Sequence, residues 1–246
     1  DAEGIELNLG VDVPNSTETV ETVSISGLGD STLSATDAAG NTVEIPVVDG
    51  VATVAPSLVD SLVLTPDADS DDDLALEITA TSTDGTATNA SVPVEVVAVA
   101  DAPDLTATSA GGAEDTAIAL DIATAVSDTD GSEEIQSVTI SGIPEGAALS
   151  VGEVVDGSVT LSPDQLSGLT ITPPDDFNGT MDLSVASTSI EDENGDTATT
   201  TVPLSIGVSA VPDAPVFTLS PTPVSGLEDA EGIELNLGVD VPNSTE

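Results

Sequence analysis

Hydrophobic residues along this chain alternate with polar or small ones at a spacing of two. Ile5, Leu7, Leu9 and Val11 keep this pattern, as do Leu74, Leu76 and Ile78, then Val92, Val94 and Val96. It returns at Ile118, Leu120 and Ile122, at Met181, Leu183 and Val185, and at Val202, Leu204, Ile206 and Val208. Successive side chains of a strand point to opposite faces, so this period predicts strands with one buried face. The abundance of Val and Thr suits a pleated, half-buried surface. No stretch carries the period of an amphipathic helix. Asp49-Gly50 stands between Val47-Val48 and Val51-Ala52, and Asp156-Gly157 stands between Val154-Val155 and Ser158-Val159. Both predict tight hairpins, because the turn needs positive φ. Asn178-Gly179, Asn194-Gly195, Pro66 and Pro173-Pro174 mark further turns and loops.

The pattern is periodic on a larger scale. The eighteen letters DAEGIELNLGVDVPNSTE at Asp1 to Glu18 recur at Asp229 to Glu246, an offset of 228 residues. This identity predicts a tandem array, of which the chain is a window opening and closing in mid-repeat. Within one period the two halves also align. Asp101-Ala102-Pro103 matches Asp213-Ala214-Pro215, Glu114-Asp115 matches Glu228-Asp229, and Asp49-Gly50 matches Asp156-Gly157. Thr65-Pro66 matches Thr172-Pro173, and Thr86-Ala87-Thr88 matches Thr197-Ala198-Thr199. The expected organisation is a first module at 1–100 lacking its first ~15 residues by comparison with the repeat, a second at 101–212, and at 213–246 the start of a third that copies the first. About seven short strands in roughly 100 residues is the size of an immunoglobulin-like β-sandwich. The expected fold class is therefore all-β, in tandem sandwich modules.

Charge sharpens this reading. The chain has 46 Asp and Glu and no Lys, Arg or His, a formal charge of −46. It can form no side-chain ion pair, and its charges repel one another on compaction. Nucleic acid is excluded as an electrostatic partner, since phosphate contacts need basic groups. No apolar run approaches the length that spans a bilayer, so membrane insertion of this region is not expected. Two explanations remain for a folded chain of this charge. Divalent cations neutralise two charges each and take oxygen ligands, whereas a salty habitat merely screens the surface. Phe177 and Phe217 are the only aromatic residues and there is no Cys. The cores must then be aliphatic, with no disulfide to reinforce them.

The carboxylates concentrate in turns and linkers. Asp101 and Asp213 open the two linkers. Glu114-Asp115 and Glu228-Asp229 form a repeated pair, of which Asp1 is the remnant in the first module. Asp128, Asp130 and Glu133 surround Gly131, an arrangement suited to an oxygen-ligated Ca2+ loop. Asp12, Asn15 and Glu18 are its weaker counterpart. Glu191, Asp192, Glu193, Asn194 and Asp196 make a fourth cluster, reduced to Asp84-Gly85 in the first module. A further acidic run, Asp67, Asp69 and Asp71 to Asp73, matches Asp175-Asp176. A solvated acidic loop is the competing reading for each cluster taken alone. Recurrence in register favours metal for the set. Without His or Cys, calcium is favoured over zinc.

No enzyme is expected. The chain lacks His, Cys, Lys, Arg, Tyr and Trp, so no base is available to activate Ser or Thr as in a catalytic triad. Paired carboxylates could cleave glycosides, but sugar sites usually stack their ligand on aromatic rings.

The second module runs from DAP through AEDTAIALDI, SDTDGSEEIQSVTISGIP, PPDDFNGT and ENGDTATTTVPLSI to the next DAP. These stretches resemble the cadherin-like and immunoglobulin-like extender repeats of giant RTX-type adhesins, exported by type I secretion from Gram-negative bacteria. The resemblance covers the second module throughout and the first more loosely. It implies an extracellular region of sandwich modules set end to end as an extended rod. It further implies calcium at the module junctions and a role in cell-surface projection, adhesion or biofilm. On that likeness Asp101, Glu114, Asp115, Asp128, Asp130 and Glu133 carry over as candidate ligands. The first module departs from the pattern at Asn15 and at Asp84-Gly85. The expected partners are neighbouring repeats of the same chain. Two alternatives stand beside this reading: a β-sandwich that binds a ligand or surface, and a subunit of a self-assembling extracellular filament, in which other copies are the partners.

Overall fold

The computed structural model describes residues 4–13, 17–108, 111–128, 131–219, 225–229, 231–233, 235 and 237–240. The described residues are almost entirely strands and turns, broken by two short 3-10 turns at Pro56–Ser61 and Pro163–Gln165. The chain divides into two compact units. One holds 1–102, 126–134 and 189–198, and the other holds 103–125, 135–188 and 199–246.

In the first unit the strands are β1 (Ile5–Glu6), β2 (Val20–Ser26), β3 (Thr32–Thr36), β4 (Thr42–Ile45), β5 (Val47–Val48), β6 (Val51–Val54), β7 (Leu62–Thr65), β8 (Leu74–Ser82) and β9 (Ala87–Val94). They form two sheets, β1-β7-β3-β4 and β5-β6-β2-β8-β9. The predicted alternation becomes a shared core, with Val23, Ile25, Leu33, Leu64, Leu76 and Val54 each almost wholly buried. Two inward faces meeting in one aliphatic core make a β-sandwich. Asp49 and Gly50 both take positive φ and join β5 to β6, as the Asp-Gly signal predicts. The expected strand from Ile5 to Val11 is shorter than its pattern. Only Ile5 and Glu6 are in strand, pairing with Leu64 and Val63. Leu9 and Val11 pack on the core from an irregular segment.

In the second unit the strands are β10 (Asp104–Thr108), β11 (Gly112–Ala113), β12 (Ile118–Ala119), β13 (Asp121–Ala125), β14 (Glu133–Ser141), β15 (Ala148–Leu149), β16 (Ser158–Leu161), β17 (Thr170–Thr172), β18 (Gly179–Glu191), β19 (Thr197–Ser209), β20 (Val216–Leu219) and β21 (Leu237–Asp240). The first residues of β14, the last of β18 and the first of β19 belong by contact to the first unit. A sheet β11-β19-β18-β14-β16 faces β12-β17-β15 and the pair β10-β13. Ile140, Val138, Ile171, Met181, Val185, Leu204 and Ile206 fill the core between them. β20 and β21 pair in a register that repeats β10 with β13. Phe217 opposes Val239 as Leu105 opposes Thr124, and Leu219 opposes Leu237 as Ala107 opposes Ile122.

The acidic loops at 126–134 and 189–198, placed in the second module by sequence, gather with the first unit. The hydrogen bonds of those loops to residues 98–102 are the physical reason, as the next subsection shows.

Candidate metal centres

The first unit carries one concentration of carboxylates. It begins at Asp101, half-buried, whose backbone N–H donates to Glu133 Oε1 at 2.8 Å. Ser189 Oγ donates to the Asp101 carbonyl at 2.6 Å, and Ser127 Oγ donates to the carbonyl of Ala102 at 3.1 Å. The loop after β18 adds two ties. Asn194 Nδ2 donates to the Ala98 carbonyl at 2.6 Å, and the Ala100 N–H donates to Asp196 Oδ2 at 3.2 Å. The Asp192 N–H donates to the Ser132 carbonyl at 2.9 Å, holding the two acidic loops together. Backbone groups near 98–102 find partners here that a regular strand would otherwise supply.

Three acidic side chains of this cluster are buried: Asp128, Glu133 and Glu191, the last at 2% exposure. Burial holds the Glu191 carboxyl above its usual value, and the negative charges of Glu133, Asp128 and Asp71 push the same way. A hydrogen bond from Ser132 opposes them. A cavity of about 490 Å3 opens beside these groups, lined by Asp67, Asp69, Asp71, Asp101, Asp128 and Glu191 among others.

The second unit carries a similar arrangement. Glu114 is 1% exposed, and its Oε1 accepts from the Val211 N–H at 2.6 Å. Its own N–H donates to the Ser209 carbonyl at 3.0 Å, which fixes β11 against β19. Asp115 adopts φ 57° and accepts the Asp176 N–H on Oδ1 at 3.2 Å. The Asp176 carboxyl is held above its usual value by desolvation first, then by Asp115, Asp213, Glu114 and Asp175. Both units thus combine a linker Asp (101 or 213) with the acidic loop ahead of a long strand (Asp71 or Asp176) and a buried Glu.

Whether these residues suit a cation is tested by their unpaired atoms. Oε2 of Glu114, Glu133 and Glu191 is buried and has no hydrogen-bond partner. A buried carboxylate oxygen without a partner is costly, and no Lys, Arg or His exists to relieve it. An oxygen-only donor set with negative charge is the chemistry that hard divalent cations take. The geometry is less complete. Among the described residues, no three Asp or Glu side chains stand close enough together to hold one ion by themselves. Backbone carbonyls, water or rotation of a carboxylate would have to complete any shell.

The other expected ligands fall elsewhere. Asp84 accepts from Ser82 Oγ at 2.5 Å and from the Thr86 N–H at 2.8 Å, closing the turn from β8 to β9. These bonds, led by Ser82, hold its carboxyl below the usual value. Asp12 is exposed and Glu18 half-buried, and both line a groove on the first unit away from the Asp101 cluster's residues. Asp192 and Glu193 are exposed, as are Glu228 and Asp229 in a turn. Asn194 and Asp196 spend their side chains on the backbone of 98–100 and on their own loop, where Asn194 Oδ1 accepts the Asp196 N–H. Asp1, Asn15 and Asp130 lie outside the described residues. Asp71 and Asp176 were not among the expected ligands, although the matching acidic runs at 67–73 and 175–176 carried the signal.

No family model matches the chain, and no curated protein matches it. Solved structures similar to it include extracellular cadherin domains 3–6 of protocadherin gamma B2, at 18% identity over 65% of this chain and 37% of that one, with a TM-score of 0.39. Drosophila N-cadherin EC1-3 matches at 18% identity over 84% of this chain and 63% of that one, with a TM-score of 0.27. A SusE-like, surface-located polysaccharide-binding protein of Bacteroides thetaiotaomicron matches at 13% identity over 76% and 30%, with a TM-score of 0.25. The chain spans less than two thirds of the length of each. Among the described residues no helix is long and apolar enough to cross a membrane.

Proposed function

We propose that these units are extender repeats of a long extracellular adhesin or fibre, without catalytic activity, which take up calcium and are made rigid by it. The observation that carries this reading is the set of buried, unpaired carboxylate oxygens on Glu114, Glu133 and Glu191 in a chain without a single basic side chain. In the first unit Asp101, Asp128, Glu133 and Glu191 would hold the ion, with Asp71 beside them. In the second unit Glu114, Asp115, Asp176 and Asp213 would do so. The ion would supply the positive charge that the fold lacks. The protein's own part is to hold the acidic loops in place through backbone hydrogen bonds, so that little ordering is left to be done on binding. The 228-residue repetition supports a spacer role, because each further copy of the unit adds length to the array.

Thermal unfolding followed by calorimetry, with calcium and with a chelator, tests this directly. A ligand that binds only the folded chain adds about 2.7 kcal/mol at one hundred times its Kd. Calcium is expected to raise the melting temperature well beyond sodium chloride of equal ionic strength. Equal effects of the two salts would reduce the acidic clusters to screened surface and remove calcium from the proposal.

A further inference from the structure

Asn194-Gly195 is a chemically labile pair. The backbone nitrogen that follows an asparagine can attack the asparagine side-chain carbonyl, and glycine offers that attack no Cβ to hinder it. The structure holds both reacting groups away from this path. Asn194 Nδ2 donates to the Ala98 carbonyl at 2.6 Å, and Asn194 Oδ1 accepts the Asp196 N–H at 2.7 Å. The Gly195 N–H donates to the Glu191 carbonyl at 3.0 Å, with Gly195 at φ 75°. The side chain is thus held between residues 98 and 196, and the attacking nitrogen is turned to residue 191. All of these residues belong to the first unit.

The bond to Ala98 is the one that needs an amide. In the turn from β8 to β9, Asp84 makes the counterpart of the local bond, accepting the Thr86 N–H on Oδ1 at 2.8 Å. A carboxylate therefore keeps such a turn. It cannot donate to a carbonyl oxygen, however. At position 194 it would set a negative charge against the Ala98 carbonyl, beside Asp196, whose Oδ2 accepts the Ala100 N–H at 3.2 Å. Residues 98–100 lie in no strand, so these two side chains supply partners that a ladder would otherwise give.

We propose that Asn194 is a site of slow, self-driven deamidation, gated by opening of the 189–198 loop, and that its conversion releases the linker at 98–100. In the reaction the Gly195 nitrogen gives up its proton and bonds to Asn194 Cγ. The Cγ–Nδ2 bond breaks, and Nδ2 takes up a proton and leaves as ammonia. Water then opens the cyclic imide at either carbonyl, to an aspartate or to an isoaspartate with a longer main chain. Each product lacks the donor that bonds Ala98. Each also adds a negative charge to a loop that already holds Glu191, Asp192, Glu193 and Asp196. The change is one-way, unlike the binding of a cation, and needs no cation to occur.

Mass spectrometry of the full chain in chelator at mildly alkaline pH tests this, with and without urea. The mass gain of amide-to-acid conversion is scored at residue 194 and, in urea, at Asn178-Gly179, which reports the rate of the dipeptide itself. In urea the two are expected to convert alike. In the folded chain residue 194 is expected to convert at least about tenfold more slowly, because three hydrogen bonds must break first. Incubation for about a hundred urea half-times reaches openings populated about 1% of the time. The converted chain, and Asn194→Asp made directly, are expected to exchange the Ala100 amide hydrogen at least about tenfold faster, with circular dichroism unchanged. Conversion as fast in the folded chain as in urea overturns the inference, and so does none within the incubation. Unchanged exchange at Ala100 in both samples overturns the release of the linker.

Discussion

Glu133 and Glu191 each place one carboxylate oxygen in the protein with nothing to receive it. Breaking up such an arrangement has opposite consequences with and without a cation. In chelator, Glu191→Gln removes a buried negative charge facing Glu133, Asp128 and Asp71, and it is expected to stabilise the chain by about 1–3 kcal/mol. In saturating calcium the same substitution is expected to lose that advantage and to weaken calcium binding. Denaturant unfolding in the two buffers reads both signs. Titration makes a related prediction. Raised carboxyl values at Glu191 and Asp176 mean that folding favours their protonated forms. Their contribution is present below the ordinary value and is lost as pH rises through the raised one. Asp37, held low first by the Asn41 N–H, and Asp84, held low first by Ser82, run the other way. Their contribution is present above the ordinary Asp value of 3.8 and is lost as pH falls through the lowered one. In chelator the melting temperature is therefore expected to rise as pH is lowered to the ordinary carboxyl values of 4.5 for Glu and 3.8 for Asp, then to fall in stronger acid. A steady fall from neutrality would show that the raised groups do not govern the profile. These residues were legible as acidic clusters in the sequence, but which oxygens lose their partners depends on packing that no spacing reveals.

Strands were the most readable feature because one-sided burial writes itself as a period of two. β8 shows this well, with Leu76 and Ile78 buried and Ala75 and Glu77 exposed. Glycine at the end of β2 and of β14 carries a second legible constraint. Gly27 has φ 82°, and a Cβ there would stand 2.2 Å from the Ala75 carbonyl oxygen. Gly142, its counterpart, has φ 79° with the Asp182 carbonyl oxygen at 3.0 Å. Gly27→Ala is expected to cost more than about 1 kcal/mol. Gly40→Ala meets no atom within 4 Å and bears only the strain of its φ of 85°. Its loss is expected to be the smaller, as thermal melts of the two variants would show. The stretch from Ile5 to Val11 marks the limit of reading elements from pattern: Ile5 and Glu6 pair with Leu64 and Val63, whereas Leu9 and Val11 pack on the core from an irregular segment, since a strand exists only where a neighbouring backbone supplies its hydrogen bonds.

Across the whole molecule, 46 acidic side chains and no basic ones set a repulsion that every fold of this chain must overcome. Sodium chloride is expected to raise the melting temperature steadily, as the Debye length falls from about 10 Å at 0.1 M to about 3 Å at 1 M. A melting temperature indifferent to sodium chloride would mean that the charges are already compensated locally. The sequence alone determined the all-β class, the hairpins at Asp49-Gly50 and Asp156-Gly157, the aliphatic core and the repeat. Each of these follows from local chemistry: side-chain alternation, the φ that a turn demands, or literal recurrence of letters. The tertiary structure alone decided that Glu133 meets the backbone of Asp101, that Asp71 and Asp176 join the buried carboxylates, and that Asp84 closes a turn. Those outcomes depend on which distant segments come together to exclude water. Burial and pairing belong to that assembly, and a residue's neighbours in sequence do not specify them.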